Sequence, residues 1–205
     1  MAVYTKTLIG NMALSHCGIS TLMSDIDTDD TNEAIQCRLW YDTCRDALLE
    51  MLPWSFAEIE TPLSLIEEEP NDRWAYSYLY PNFVKRINFI VNPYVRQPSP
   101  TSPKIPYKIQ NYEDGPGKII LTDQEDAIIN ANRWITDESL YTDVYAMGQS
   151  LMIATYISKP LRVDAKIKLD IAKDWAAWLA EAQVQSKSEQ QDDPAPDSEF
   201  ASGRM

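Results

Sequence analysis

Proline placement decides where this chain can be helical. The residue carries no amide hydrogen and its ring clashes with the preceding helical turn, so long helices need proline-free sequence. The first 52 residues of the 205 contain none. Pro53, Pro62, Pro70 and Pro81 then punctuate the chain, and five prolines fall within NPYVRQPSPTSPKIP, residues 92–106. Further on, Pro160 is the one proline between residues 117 and 193. The apolar periodicity changes with this punctuation.

Before Pro53 the period is helical. Leu8, Ile9, Met12 and His16 predict a helix over 4–17, with Gly18 as its stop. Asp30 followed by Glu33 resembles a capping box, which starts a second helix near Thr31. Its expected stripe is Ile35, Trp40, Cys44, Leu48 and Leu52, and Pro53 ends it. Residues 54–66, 73–80 and 84–91 are rich in β-branched and aromatic residues and read as strands. The proline-rich loop 93–106 reads as semi-rigid and extended. YKIQNY, the turn EDGPG and KIILT form a hairpin, and AIINANRWI one more strand. Helix is expected again over 138–158, with Leu140, Val144, Met147, Leu151, Ala154 and Ile157 on one stripe, closed by Pro160. A last helix covers 163–186, with Ile167, Ile171, Trp175, Trp178 and Ala182 inward.

The fold class expected is therefore α+β: an antiparallel-type bundle of about four helices with an inserted β region and an extended C-terminal tail. Residues 1–53 and 138–186 make the bundle, 54–137 the β-rich insertion and 187–205 the tail. The tail is polar with one aromatic, Phe200, a composition expected to stay unfolded alone and to order on binding.

Charge and composition narrow the function. A formal charge of −13, with 18 basic and 31 acidic residues and no basic cluster, argues against tight nucleic-acid binding. It suits a wall past which DNA slides. Cys17, Cys37 and Cys44 include no CxxC pair and read as reduced, buried thiols. MAVYTKTLIG is no signal peptide, and no window is apolar enough to anchor in a membrane.

No motif for catalysis or metal binding emerges. Asp25, Asp27 and Asp29 have EF-hand spacing, but the sixth position is Asp30 rather than Gly and the twelfth Gln36 rather than Glu. Glu67, Glu68 and Glu69 read as a solvated run before Pro70. His16 is the single histidine, and its side chain points about 100° away from that of Cys17 on a helix. EDGPGK lies between strands and precedes no helix, so it lacks the free amides of a phosphate loop. No cofactor is expected.

The remaining feature is the ladder RWAYSYLYPNF. Trp74, Tyr76, Tyr78 and Tyr80 alternate, which places all four rings on one face of a strand. They could form core or subunit interface, a partner groove, or a ligand platform. Trp54 and Phe56 alternate in the same way, and both segments are expected to pack across the junction of bundle and sheet, with Arg73 and Tyr80 nearest a subunit boundary.

The series NMALSHCGISTL (11–22), an acidic loop, a long helix carrying Ala34 and Arg38, the exit LLEMLPWSFA with Trp54 and Phe56, and WAYSYLYP (74–81) resembles the head-to-tail adaptor family of short-tailed bacteriophages, the tail tubular protein A group. The resemblance covers residues 5–90; beyond them only the element order matches. It implies a structural virion protein, not an enzyme. That protein forms a homo-oligomeric ring, usually a dodecamer, joining the portal protein to the tail nozzle and possible tail fibre proteins. The ring is made in the host cytoplasm, sits in the tail beneath the portal vertex and lines the channel for passing genomic DNA. The C-terminal segment, with Asp192, Asp193, Pro194, Pro196, Phe200 and Arg204, would bind the portal. The competing expectation is a carbohydrate- or peptidoglycan-directed tail protein using Trp74, Tyr76 and Tyr78 as a stacking platform.

Overall fold

The computed structural model describes residues 3–95, 103–113 and 115–189. The described residues form an α+β structure with four helices and two antiparallel sheets.

Helix α1 (Lys6–His16) begins where the Thr5 hydroxyl accepts the Leu8 amide and ends at Gly18, whose positive φ of 71° lets the Ile19 amide reach back to the Leu14 carbonyl. Helix α2 (Asn32–Met51) is capped by Thr31, not by Asp30. Thr31 is the residue in extended backbone, and its hydroxyl accepts the Ala34 amide at 3.3 Å. The inward stripe of α2 also differs from the expected one. Ala34, Cys37, Tyr41, Cys44 and Leu48 are buried at helical spacing, while Ile35, 100° round the helix from Ala34, is exposed.

The expected strand 54–66 is three pieces. Trp54 leads into a 3₁₀ turn, residues 55–57, and then β1 (Glu58–Pro62) and β2 (Ser64–Asn71) follow in different sheets. The chain changes sheets at Leu63, whose amide bonds to the Ala127 carbonyl. Pro62, unable to donate to a ladder, sits at that switch. The run Glu67–Glu69 lies inside β2 and is exposed, as expected of a solvated run.

Strands β3 (Trp74–Leu79), β4 (Val84–Ile90), β5 (Tyr107–Asn111), β6 (Lys118–Thr122) and β7 (Ile128–Arg133) complete the β region. One sheet has the order β1-β7-β4 and the other β2-β3-β6-β5. The β5–β6 hairpin and the β7 strand fall where the sequence places them.

After β7 a 3₁₀ turn at 138–140 precedes α3 (Asp143–Ile157), so the expected helix 138–158 starts late. Asp137 caps the turn and Thr142 caps the helix, which splits them. Helix α3 has no single stripe. Residues from Tyr145 to Ile157 are buried on most sides, because α1, α2 and α4 (Ala165–Glu189) all pack on it. Leu140 and Met147 are exposed instead. Gly148 lets the Trp178 indole of α4 lie against the α3 backbone; a Cβ there would collide with the ring.

Two apolar cores result. The larger joins the four helices with Trp54, Ala57 and Ile135. The smaller lies between the sheets around Tyr78, Val84, Ile87, Ile120 and Ile129. A polar seam connects them. Asn132 on β7 donates to the Leu49 and Leu52 carbonyls at 2.8 and 2.6 Å and accepts the Trp54 amide at 3.3 Å. Arg86 on β4 donates to the Glu50 and Met51 carbonyls. The last carbonyls of a helix have no partner within it, and its C-terminus carries partial negative charge. The three-stranded sheet thus caps α2 with an amide and a guanidinium.

Candidate functional site

The expected site residues fall into two separate places. Trp54 and Phe56 belong to the helical core. The Trp54 indole N–H donates to the Leu48 carbonyl at 2.7 Å, and its ring meets those of Tyr145 at 5.1 Å, Phe56 at 6.2 Å and Trp178 at 6.4 Å. Phe56 also contacts Tyr141 and Tyr145. Tyr76, Tyr78 and Tyr80 pack instead on the β core. The two aromatic groups do not share one joint, because the 3₁₀ turn folds Trp54 and Phe56 back under the helices before β1 starts.

Within the ladder the rings differ. Tyr78 is 2% exposed; its hydroxyl donates to the Gln124 carbonyl at 2.9 Å and accepts the Ala127 amide. That burial leaves it no face for a ligand. The half-buried Tyr76 ring lies 6.2 Å from it. Tyr80 is half-buried beneath the Lys118 ammonium. Burial, helped by Glu50 of α2, pushes its hydroxyl up to about 12.

Arg73 and Trp74 line an open cavity of about 380 Å³ with Asn71, Lys108, Gln110 and Leu121. A second, of about 600 Å³, runs between the sheets past Pro62, Leu79, Tyr80, Pro81, Phe83 and Lys118. Tail residues Asp192, Asp193, Pro194, Pro196, Phe200 and Arg204 lie outside the described residues, as does much of the loop 93–106.

A charged cluster stands where α2 meets β4 and β7. Arg45, buried, donates to Asp42 and Asp46 at 2.8 and 2.9 Å, and its guanidinium lies 5.5 Å from the Trp134 ring. Lys85 and the Trp134 indole also donate to Asp46, at 2.7 and 3.1 Å. Burial raises the Asp46 carboxyl, but the bonds from Lys85 and Arg45 outweigh it and hold the group below the ordinary carboxylate value. Every member is committed to a neighbour on the fold.

The reactive side chains are similarly committed. His16 Nε2 lies 3.2 Å from Ser150 Oγ, a serine–histidine contact invisible in the sequence. The Ser150 hydroxyl donates to the Met147 carbonyl at 2.8 Å and is fully buried, so its proton is not offered to the ring. Burial lowers the His16 pKa, which favours the neutral ring. It pushes the free thiols the other way, Cys17 to about 11 and Cys37 and Cys44 to about 12. In the acidic loop Asp29 accepts the Ser24 amide and hydroxyl, and Asp25 the Asp27 amide. Among the described residues no three His, Cys, Asp or Glu side chains gather as a metal site.

Sequence reading missed the asparagines of the seam. Asn88 bridges Asn130 and Asn132 at 3.0 and 3.3 Å, and Asn130 donates to Glu58. The signal for Asn130 and Asn132 was the NAN of AIINANRWI, polar side chains alternating inside a run otherwise fit for burial. Compared with protein-family models and with curated proteins, the chain matches none.

Proposed function

We propose that this protein is a structural head-to-tail adaptor of a tailed bacteriophage. Its four helices would form the bundle that is the body of a homo-oligomeric ring between portal and tail nozzle. The observation that carries the reading is the surface of that body. Opposite their buried stripes, α2 exposes Ile35 and Leu39, and α4 exposes Leu169 and Val184. Apolar side chains on two outward helix faces suit subunits packed side by side. The order of elements, two helices, a β region and two helices, agrees with the resemblance carried by residues 5–90. The acidic balance suits a channel that DNA must pass without sticking.

Tail residues 187–205 would bind the portal. Electron microscopy of the purified protein mixed with its portal should show a ring beneath the portal, and removal of 187–205 should abolish docking while the chain still folds. Docking by the truncated chain would refute the tail's role, and a wild-type chain that never forms rings would refute the adaptor reading. The alternative of a glycan platform loses Tyr78 to the core, which leaves Trp74 and Tyr76.

A further inference from the structure

The four-stranded sheet ends in two edges, β2 and β5. An edge strand carries backbone amides and carbonyls that another strand can take up. Cross-strand registers define four rows running from one edge to the other, with Ile66 the extra residue of a bulge in β2 between the second row and the third. Ser64, Leu79, Ile119 and Gln110 form the first; Leu65, Tyr78, Ile120 and Ile109 the second. Glu67, Ser77, Leu121 and Lys108 form the third; Glu68, Tyr76, Thr122 and Tyr107 the fourth. Directly paired residues share a face.

The two ends of the first three rows match. Ser64 is exposed at one edge and Gln110 half-buried at the other, both able to hydrogen-bond. Leu65, 49% exposed, corresponds to Ile109, 39% exposed. Glu67 corresponds to Lys108, acid to base, while Tyr107, opposite Glu68, packs on the β core and donates its hydroxyl to the Ile87 carbonyl of its own chain. A proline stands near the fourth row on both edges, although β2 runs on past it to Asn71. Pro106 precedes Tyr107, while Glu69, with a positive φ of 50°, and Pro70 follow Glu68.

Direction agrees as well. Three antiparallel pairings leave β2 and β5 pointing in opposite directions. Laying β5 of one copy beside β2 of the next continues the antiparallel alternation while both copies keep the same orientation. Such a head-to-tail contact can close into a ring. Pairing β2 with β2 would set the glutamates against one another, which like charges disfavour.

We propose that copies of this protein join by strand addition, residues 107–110 of one copy pairing with Glu68, Glu67, Leu65 and Ser64 of the next, across the bulge at Ile66. This inference rests on the homo-oligomeric reading above and names the contact that links its subunits. The opposed charges at the edges then select the head-to-tail partner over either self-pairing.

The test uses the full-length chain in sedimentation velocity, with circular dichroism to confirm folding. Glu67→Lys or Lys108→Glu alone should raise the concentration for half assembly about tenfold per junction. The double variant, with the charges exchanged, should return to near wild type. A second readout mixes a Leu65→Cys chain with an Ile109→Cys chain under oxidising conditions. It should give disulfide-linked dimers that neither chain gives alone, since Cys17, Cys37 and Cys44 are buried. Wild-type rings indifferent to both single reversals, or a double variant no better than the singles, would overturn the strand contact and leave the ring reading standing. A wild-type chain monomeric with and without portal would overturn both.

Discussion

The helical and β cores are built from different materials. The helical core is closed around rings: Trp54 at its centre, with Phe56, Tyr141, Tyr145 and Trp178 about it. The β core is smaller and mostly aliphatic, with Tyr78 its one fully buried ring. A large ring buries 150–250 Å² by general estimate, so a few of them fix many helix positions at once. Isoleucines between two short sheets bury less and fix less. The difference teaches that the β region draws part of its order from the helices, through the cap that Asn132 and Arg86 place on α2.

The strongest challenge to this contrast is Trp54→Ala. It removes the ring that links α2, α3 and α4, and should cost about 3–5 kcal/mol in urea unfolding. The half-buried Trp74 in the same experiment should cost about 1–2 kcal/mol on changing to alanine. Equal costs would end the distinction between the hub and the ladder.

Ile120→Ala should be next, at about 2–4 kcal/mol, since the side chain is fully buried between the sheets. Its signature should be local. Hydrogen exchange should rise in β2 to β7 while the amides of α3 stay protected. A uniform rise would mean that the two cores open as one.

Asn132→Ala attacks the seam. Three backbone groups, the Leu49 and Leu52 carbonyls and the Trp54 amide, lose their partner within the fold, at a cost of about 1–3 kcal/mol. Combined with Ile120→Ala it should be less than additive if the β region is tethered as argued, because the first change already loosens the second site. Simple additivity would make the seam a local cap and nothing more.

The legible part of this fold was its punctuation. Pro53, Pro160 and Gly18 end elements through backbone chemistry that needs no tertiary context, and they fall where expected. Burial was less legible. Ile35 is apolar yet outward, and Asn132 is polar yet fully buried, because partners distant in sequence decide both. The split of 54–66 was hidden for the same reason: alternation at Trp54 and Phe56 looks like a strand until the helical core claims both rings. For the proposed interface, the glutamates of β2 and Lys108 were visible singly. Their place at opposite ends of one row depends on the order β2-β3-β6-β5, which only long-range pairing sets.

The smallest effect tests the charged side of the seam. Asp46 holds Arg45 of α2, Lys85 of β4 and Trp134 after β7, so it links the two regions by charge where Asn132 links them by neutral bonds. Its folded pKa is depressed below the unfolded value near 3.9. A depressed carboxyl stabilises the fold at pH above the unfolded value, and that stability is lost as pH falls through the folded value. Because the side chain is partly solvated, screening keeps the contribution to the order of 1 kcal/mol. Wild type should therefore lose stability from about pH 4 downward, while Asp46→Asn should start slightly less stable at pH 7 and show a flatter acid limb. The same comparison in high salt should narrow the gap at pH 7, since salt screens the ion pairs. An acid limb unchanged by the substitution would assign it to other carboxylates and leave the neutral asparagine seam as the main tether.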